Sequence, residues 1–104
     1  MLDLRGADLS YTNLSYADLR YADLSLCDFS FTWYNDHFLK GTNPIITIKS
    51  IGYKDNDLTV INTEGGIFYQ KDDFFGNGEK LLNYIANNVN QSKYLDDYKR
   101  ILVE

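Results

Sequence analysis

The chain has 104 residues, with ten Lys or Arg against fifteen Asp or Glu and a formal net charge of −5. This balance disfavours binding to nucleic acid or to an anionic membrane through charge, because Lys and Arg supply most of the affinity for phosphate. No apolar run approaches the roughly 20 residues of a membrane-spanning helix, and no secretion signal is visible. The single Cys27 cannot form an internal disulfide, so we expect a cytoplasmic protein.

A five-residue pattern runs from residue 2 to residue 31. A Leu or Phe lies at the centre of each block: Leu4, Leu9, Leu14, Leu19, Leu24 and Phe29. Two positions earlier lie Leu2, Ala7, Thr12, Ala17, Ala22 and Cys27. A period of five matches neither the helix period of 3.6 nor the strand alternation of two. Short repeats of this kind are typical of a solenoid, in which each coil buries its apolar side chains against the next.

The blocks Ala7-Asp8-Leu9, Ala17-Asp18-Leu19 and Ala22-Asp23-Leu24 resemble those of pentapeptide repeat proteins. The resemblance implies a short right-handed quadrilateral β-helix with four blocks per coil, so that the repeat segment makes about one and a half coils. It also implies that Phe31 lies beside Tyr11, whereas Tyr16 and Tyr21 lie on the other two walls.

Two outward positions of the repeat form the candidate protein-binding surface. The predicted residues are Tyr11, Tyr16, Tyr21, Asp8, Asp18 and Asp23. The carboxylates either copy the phosphates of DNA or satisfy backbone groups at the corners of the coil. The tyrosines either contact a foreign protein, because Tyr is enriched at interfaces, or pack within the chain or against a second copy.

The chain divides into three predicted parts. Residues 1–31 form the β-helix, and residues 32–44 form a connector in which Trp33, Phe38 and Leu39 close the open end of the solenoid. Residues 45–104 form a module of strands and helices, and this module and the β-helix make either one compact unit or two small subdomains that share a core.

Within that module, strand-like runs alternate with turns, which predicts a three-stranded antiparallel meander. The runs are residues 45–53, 58–62 and 66–70. Apolar spacing then predicts helices over residues 79–89 and 92–104, the first starting at Asn77 or Gly78 and the second capped by Ser92. The predicted fold class is therefore mixed β and α: a short β-helix, a three-stranded meander and two C-terminal α-helices.

The order of runs in residues 45–104 is similar to that of a small α+β module of uncharacterised bacteriophage and prophage proteins. In that module the first turn more often reads IGSR, whereas this chain has IGYK at residues 51–54. The resemblance implies a phage or prophage origin and therefore a place in the host cell cytoplasm.

Residues for catalysis or metal binding are few. Cys27 occupies the small inward position of its block, which predicts a packing residue rather than a nucleophile. His37 follows Asp36, but adjacent residues rarely form a productive acid–base pair. One Cys and one His show no zinc-ligand spacing. We therefore expect no enzyme activity, no cofactor and no metal.

Three functional hypotheses follow. The first is a small acidic inhibitor that binds a host protein, such as a CRISPR effector or another nucleic-acid-binding defence protein, through the Tyr- and Asp-rich face, with DNA mimicry and homodimerisation through the solenoid end as variants. The second is a sponge for an anionic nucleotide signal, bound by Trp33, Tyr53, Lys54 and Phe68. The third is a structural or assembly module.

Overall fold

The computed structural model describes residues 2–15, 17–51 and 56–102. The strands are β1 (Leu2–Asp3), β2 (Ala22–Asp23), β3 (Trp33–Tyr34), β4 (His37–Phe38), β5 (Ile45–Ile48), β6 (Leu58–Thr63), β7 (Gly66–Lys71) and β8 (Phe74–Asn77). The helices are α1 (Gly78–Asn87), a 3₁₀ turn (Ser92–Tyr94) and α2 (Leu95–Ile101). The expected mixture of β structure followed by two helices is confirmed.

The repeat blocks stack in parallel, four blocks apart. The partners are Leu2 with Ala22, Asp3 with Asp23, Asp8 with Asp28, and Asn13 with Trp33. Each partner lies 20 residues further along the chain, as in 22 − 2 and 33 − 13, which is the length of four five-residue blocks. These contacts are short strands and isolated bridges, so the repeat forms one coil and the start of a second rather than a closed solenoid.

We call each stack a wall. Wall 1 is residues 2–6 with residues 22–26, wall 2 is residues 7–11 with residues 27–31, wall 3 is residues 12–15 with residues 32–36, and wall 4 is residues 17–21. Wall 4 has no second block above it, because the chain turns back after wall 3 into the antiparallel hairpin of β3 and β4.

At five described corners of the coil, the fifth residue of the block has a positive φ in a tight turn. The φ angles are 72° at Gly6, 60° at Tyr11, 63° at Tyr21, 61° at Leu26 and 55° at Phe31. The next N–H closes the turn, as where Ala7 N–H bonds to the Leu4 carbonyl at 3.0 Å. A positive φ at the third turn position is the signature of a type II turn, which favours Gly or Asn. A side chain other than Gly costs about 1–2 kcal/mol there.

The central Leu and Phe side chains fill the coil and meet one face of the sheet. Leu19, Leu24, Tyr34 and Ile61 are the buried members of this core. Leu39 packs against it, as expected, but Trp33 is not among its described members and the side chain of Phe38 is 47% exposed. The open end is therefore closed by Tyr34 and Ile61, because the β3–β4 hairpin carries Phe38 to the outside of the coil.

The described sheet is four-stranded and antiparallel in the order β5-β6-β7-β8, so the predicted three-stranded meander was one strand short. The missed strand β8 pairs Phe74 with Lys71 and follows a two-residue turn at Asp72 and Asp73. Asp72 has a φ of 50°, which fits a turn. The strand is short and contains Gly76, so its sequence carries little alternation.

The two faces of the sheet serve two cores. On β7, Phe68 and Gln70 face the repeat, whereas Tyr69 packs with the helices. The helix-side core has these buried members: Ile51, Leu58, Tyr69, Leu81, Ile85 and Tyr98. Strand alternation therefore places the sheet as the middle layer between coil and helices.

The helices are shorter than predicted. The side chain of Asn77 accepts a hydrogen bond from Lys80 N at 2.9 Å, which confirms Asn77 as the start of α1. The helix ends at Asn87, so Val89 lies beyond it and is exposed. Ser92 opens a 3₁₀ turn, not α2, and no side-chain cap bond is made at either start.

The side chain of Gln70 completes wall 4. Its Oε1 accepts the Leu19 N–H at 2.7 Å, and its Nε2 donates to the Ala17 carbonyl at 2.8 Å. On wall 2 the equivalent groups, Leu9 N–H and Ala7 C=O, bond to the main chain of Asp28 at 2.9 and 3.0 Å. The Gln70 carboxamide thus takes the place of the peptide group that a further block would supply.

Candidate functional site: an exposed aromatic patch

Four aromatic rings meet on the outer surface of walls 2 and 3. Tyr11 stacks on Phe31 with ring centroids 5.2 Å apart. Phe38 meets both Phe31 at 6.3 Å and Trp33 at 6.1 Å in edge-to-face contacts. We call Tyr11, Phe31, Trp33 and Phe38 the aromatic patch. The expected position of Phe31 beside Tyr11 is confirmed.

Two features of the fold place these rings together. The 20-residue coil puts residue 31 over residue 11, with Tyr11 N–H bonded to the Ser30 carbonyl at 2.9 Å. The β3–β4 hairpin then folds Phe38 back over Trp33, its register partner. The patch is therefore assembled from residues of both the repeat and the connector.

The tip of the β6–β7 hairpin holds β4 in position. Glu64 N–H donates to the Phe38 carbonyl at 2.9 Å, and Leu39 forms an antiparallel bridge with Thr63. The His37 ring lies so close to Gly65 that a Cβ there would be 2.4 Å from ring atoms. Phe38 is thus fixed by main-chain contacts while its ring stays outside.

The stability of the fold does not explain why Tyr and Phe occupy these positions of the patch. Tyr11 is 70% exposed and Phe31 is 59% exposed, although both occupy positive-φ positions where Gly or Asn would be less strained. The free energy gained by burying these rings offsets little of the backbone strain, because most of each ring remains in contact with solvent. Tyr21 and Leu26 share this strain and exposure at other corners, so the clustering of the four aromatic rings is the feature that favours a role in binding.

The aspartates before the central Leu support the corners of the coil. Oδ1 of Asp8 accepts the N–H of Ser10 at 3.0 Å, and the same contact recurs from Asp23 to Ser25 and from Asp28 to Ser30. Asn13 makes the equivalent bond to Ser15 N–H at 2.9 Å, so the contact does not require a charge. The interpretation that these residues satisfy backbone groups is confirmed by this geometry.

Two of the aspartates are also paired with arginine. Hydrogen bonds from the Arg20 side chain lower the pKa of Asp18 to about 2, and the Arg5 side chain likewise lowers the pKa of Asp3. The pKa values of Asp8 and Asp23 are lowered mainly by Ser10 and Ser25 hydroxyls. The acidic surface is therefore ionised at neutral pH but partly neutralised on walls 1 and 4.

The predicted protein-binding residues lie on different walls. Tyr11 belongs to the aromatic patch, and Asp8 lies on the same wall. Tyr21 and Asp23 lie together at another corner, and Asp18 pairs with Arg20 on wall 4. Tyr16 lies outside the described residues. The described members of the set therefore lie on three different walls.

The residues predicted to bind a nucleotide are only partly described. Tyr53 and Lys54 lie outside the described residues. Trp33 contacts Phe38 on the outer surface, whereas Phe68 contacts Tyr34 in the core between coil and sheet, with ring centroids 5.6 Å apart. No ring contact in the described structure joins Trp33 to Phe68.

Trp33 and Phe38 are the members of the patch that the sequence pattern assigned elsewhere, to the end of the solenoid. The signal that would have placed them is the pair of residues Asn35 and Asp36, which have φ angles of 49° and 65° and form a tight turn. Such a turn predicts a hairpin, and a hairpin brings Phe38 back to Trp33.

The single cysteine is engaged in the fold. The Cys27 thiol is half-buried and donates to the Leu4 carbonyl at 3.0 Å. Among the described residues, no group of three or more His, Cys, Asp or Glu is arranged to hold a metal ion. No helix in the described part of the chain is both long and apolar enough to cross a membrane.

Comparison with known families agrees with the repeat pattern. The family model described as Pentapeptide repeats (8 copies) matches residues 2–30, whereas residues 31–104 lie outside the match. Comparisons with curated proteins and with solved structures give no match. Residues 2–30 are therefore a pentapeptide-repeat segment, joined to a sheet and two helices.

Proposed function

We propose that the protein is a non-enzymatic binding protein that attaches to a protein partner through the aromatic patch. The observation that carries this proposal is the pair Tyr11 and Phe31, which stack on each other while exposed and at positive φ. Aromatic residues dominate the energetics of protein interfaces because they bury a large area at a small entropic cost.

The charge of the chain favours a basic partner. The net charge is −5. Asp8 and Asp28 lie side by side on wall 2, joined by a parallel main-chain bridge, and this wall also carries Tyr11 and Phe31. Complementary charge speeds association and excludes acidic competitors. We therefore propose that the partner is a host protein that itself binds nucleic acid, such as a CRISPR effector or another defence protein. We also propose a phage or prophage origin for the gene.

DNA mimicry is the weaker form of this proposal. The Asp3 and Asp18 side chains are paired with Arg5 and Arg20, so the carboxylates do not form an unbroken row of negative charge. We also propose that the coil is a right-handed quadrilateral β-helix, as the repeat resemblance implies. A nucleotide sponge receives no support from the positions of Trp33 and Phe68.

The test is capture of a partner from an extract of the cells that carry the gene. The immobilised wild-type protein is compared with the double variant Tyr11→Asn/Phe31→Asn, since Asn tolerates positive φ and preserves the turns. Tyr21→Asn is the matched control, because Tyr21 is an exposed Tyr at positive φ on another wall.

We expect the wild type and Tyr21→Asn to retain the same protein, and the double variant to retain at least about tenfold less, as for loss of interface hot spots. Equal capture by the double variant contradicts the proposal. In parallel, the three proteins are mixed with a panel of cyclic and linear nucleotides. Retention of a nucleotide without any captured protein also contradicts it.

A further inference from the structure

A groove lies between wall 1 and β5, away from the aromatic patch. Its volume is about 710 Å³. Residues 21–27 line its coil side, and Ile45, Ile46 and Thr47 line its sheet side. The volume falls within the roughly 300–1,000 Å³ that is typical of ligand sites.

The coil side of the groove carries a free main-chain edge. On walls 1 to 3 of the first coil, the central N–H bonds to the block above, as where Leu4 N–H donates to the Asp23 carbonyl at 2.9 Å. Wall 1 has no third block. The corresponding groups of its upper block, Leu24 N–H and Ala22 C=O, have no hydrogen bond to any other described residue.

The sheet side carries a second free edge. β5 is an edge strand, and its Ile46 and Ile48 lie opposite Val60 and Leu58 of β6. The Pro44 carbonyl accepts the Asn62 N–H at 2.7 Å. Because hydrogen-bonded pairs alternate along an antiparallel ladder, the main-chain groups of Ile45 and Thr47 point away from β6. Within the described structure they have no hydrogen-bond partner.

The charges around the groove select the kind of occupant. Asp23 and Asp57 border it, and Lys49 is the cation among its described lining residues. Arg5 lies 3.6 Å from Asp23 but also pairs with Asp3 at 2.8 Å, so these three carboxylates outnumber the two cations. The whole chain is also acidic. The groove therefore complements a positively charged segment.

We propose that this groove binds an extended basic peptide segment of a protein partner by strand addition to the free edge of β5. The peptide main chain bonds to Ile45 and Thr47, and its other edge faces Leu24 N–H and Ala22 C=O. Main-chain bonds of this kind give affinity without a fixed sequence, and charge gives selectivity.

Gln70 offers a precedent for this chemistry within the same molecule. On wall 4 a group from outside the repeat satisfies the Leu19 N–H and the Ala17 C=O, which are equivalent to Leu24 N–H and Ala22 C=O on wall 1. Because β5 lines the side of the groove opposite wall 1, a segment in the groove is flanked by both free edges. The inference does not depend on the aromatic patch.

The test uses a displayed library of random linear peptides about ten residues long, the upper length of a common strand. Peptides are selected on the wild-type protein and measured again on Thr47→Arg, which places bulk and positive charge in the groove. Asp23→Asn is the second variant. It removes one negative charge but keeps the acceptor for Ser25 N–H, as Asn13 does for Ser15.

We expect enriched peptides to be rich in Lys and Arg and to bind Thr47→Arg at least about tenfold more weakly, a loss of about 1.4 kcal/mol. We expect a few-fold loss on Asp23→Asn. Bound peptide should slow hydrogen exchange at the Leu24, Ile45 and Thr47 amides of the wild type. Methylation of alternate peptide nitrogens should abolish these effects.

Four results of the peptide experiment would overturn the inference. They are the absence of any enriched peptide, enrichment of acidic peptides, equal binding of the methylated peptides, and amide protection on the aromatic patch instead of the groove. Protection of Leu24 and Ile45 that grows with protein concentration alone would assign the groove to a second copy of the chain, which also contradicts a peptide partner.

Discussion

The side chain of Gln70 hydrogen-bonds the main chain of Leu19 across 51 residues of sequence, with Oε1 2.7 Å from the Leu19 nitrogen. Its Nε2 donates to Ala17 C=O and to the Tyr34 hydroxyl at 3.2 Å. Arg20 on the same wall donates to the Asp72 carbonyl and lies over the Phe75 ring at 5.4 Å. The repeat and the sheet are therefore joined by polar contacts as well as by a shared core.

Replacement of Gln70 by Leu should destabilise the protein strongly. The change leaves Leu19 N–H and Ala17 C=O without partners, and each unsatisfied buried group costs about 1–3 kcal/mol. We expect the free energy of unfolding in urea to fall by about 3 kcal/mol or more.

The matched control for this prediction is Gln91→Leu. Gln91 is also buried, but its Oε1 has no hydrogen-bond partner in the described part of the structure. Its replacement should change the free energy of unfolding by less than about 1 kcal/mol. Equal losses in the two variants would contradict the bridging role of Gln70.

Replacement of Leu26 by Gly should stabilise the protein. Leu26 is 91% exposed and has a φ of 61°, so the side chain costs strain and buries almost nothing. Relief of about 1–2 kcal/mol exceeds the entropic cost of Gly, about 0.5–1 kcal/mol. We expect a gain of about 0.5–1 kcal/mol in a urea unfolding experiment.

Val89→Gly is the control for Leu26→Gly. Val89 is 90% exposed but is not among the residues with positive φ. Its replacement gains no relief of strain and should leave the stability unchanged or lower. A gain of the same size at Val89 would show that positive φ is not the cause.

The stability of the repeat should fall in acid. Asp18 has a pKa lowered from 3.8 to about 2 by its hydrogen bonds to Arg20, so its contribution is fully present above about pH 4 and is lost as the pH falls through about 2. The pair is exposed to solvent, which limits the effect to less than about 1 kcal/mol. Asp18→Asn should flatten the curve of stability against pH over this window. An unchanged slope would contradict the assignment.

Replacement of the buried Lys71 should destabilise the protein less than replacement of its hydrogen-bond acceptor Asn56. Asn56 Oδ1 accepts hydrogen bonds from Lys71 Nζ at 2.5 Å and from the Tyr98 hydroxyl at 2.9 Å. Asn56→Leu removes the buried acceptor of Lys71 and leaves the half-exposed Asp72 carboxylate, at 3.1 Å, as its remaining partner among the described residues, so it should cost about 1.5–3 kcal/mol. Lys71→Met keeps the volume without the charge and should cost clearly less. The reverse order in thermal unfolding would refute this explanation.

Local patterns in the sequence predicted the stacking of Tyr11 with Phe31 and the cap at Asn77, because each depends on residues at a fixed spacing. The role of Gln70 could not be predicted this way. Its partners Leu19 and Ala17 are more than 50 residues away in the sequence. A Gln within a strand also forms no pattern that would predict such a contact. The prediction for Phe38 was wrong for a related reason. Its position depends on where the repeat ends and the hairpin begins, which the five-residue pattern does not determine.

The central claim is that Tyr11 and Phe31 serve contact with a partner and not folding. The direct measurement is the free energy of unfolding in urea of Tyr11→Asn/Phe31→Asn beside the wild type. Relief of strain at two positive-φ residues offsets the loss of two aromatic pairs, Tyr11 with Phe31 and Phe31 with Phe38, each worth about 0.5–1.5 kcal/mol. We predict stabilities that agree within about 1 kcal/mol. A loss of more than about 3 kcal/mol, the size of a core truncation, would show that the two rings hold the fold together and would contradict the claim.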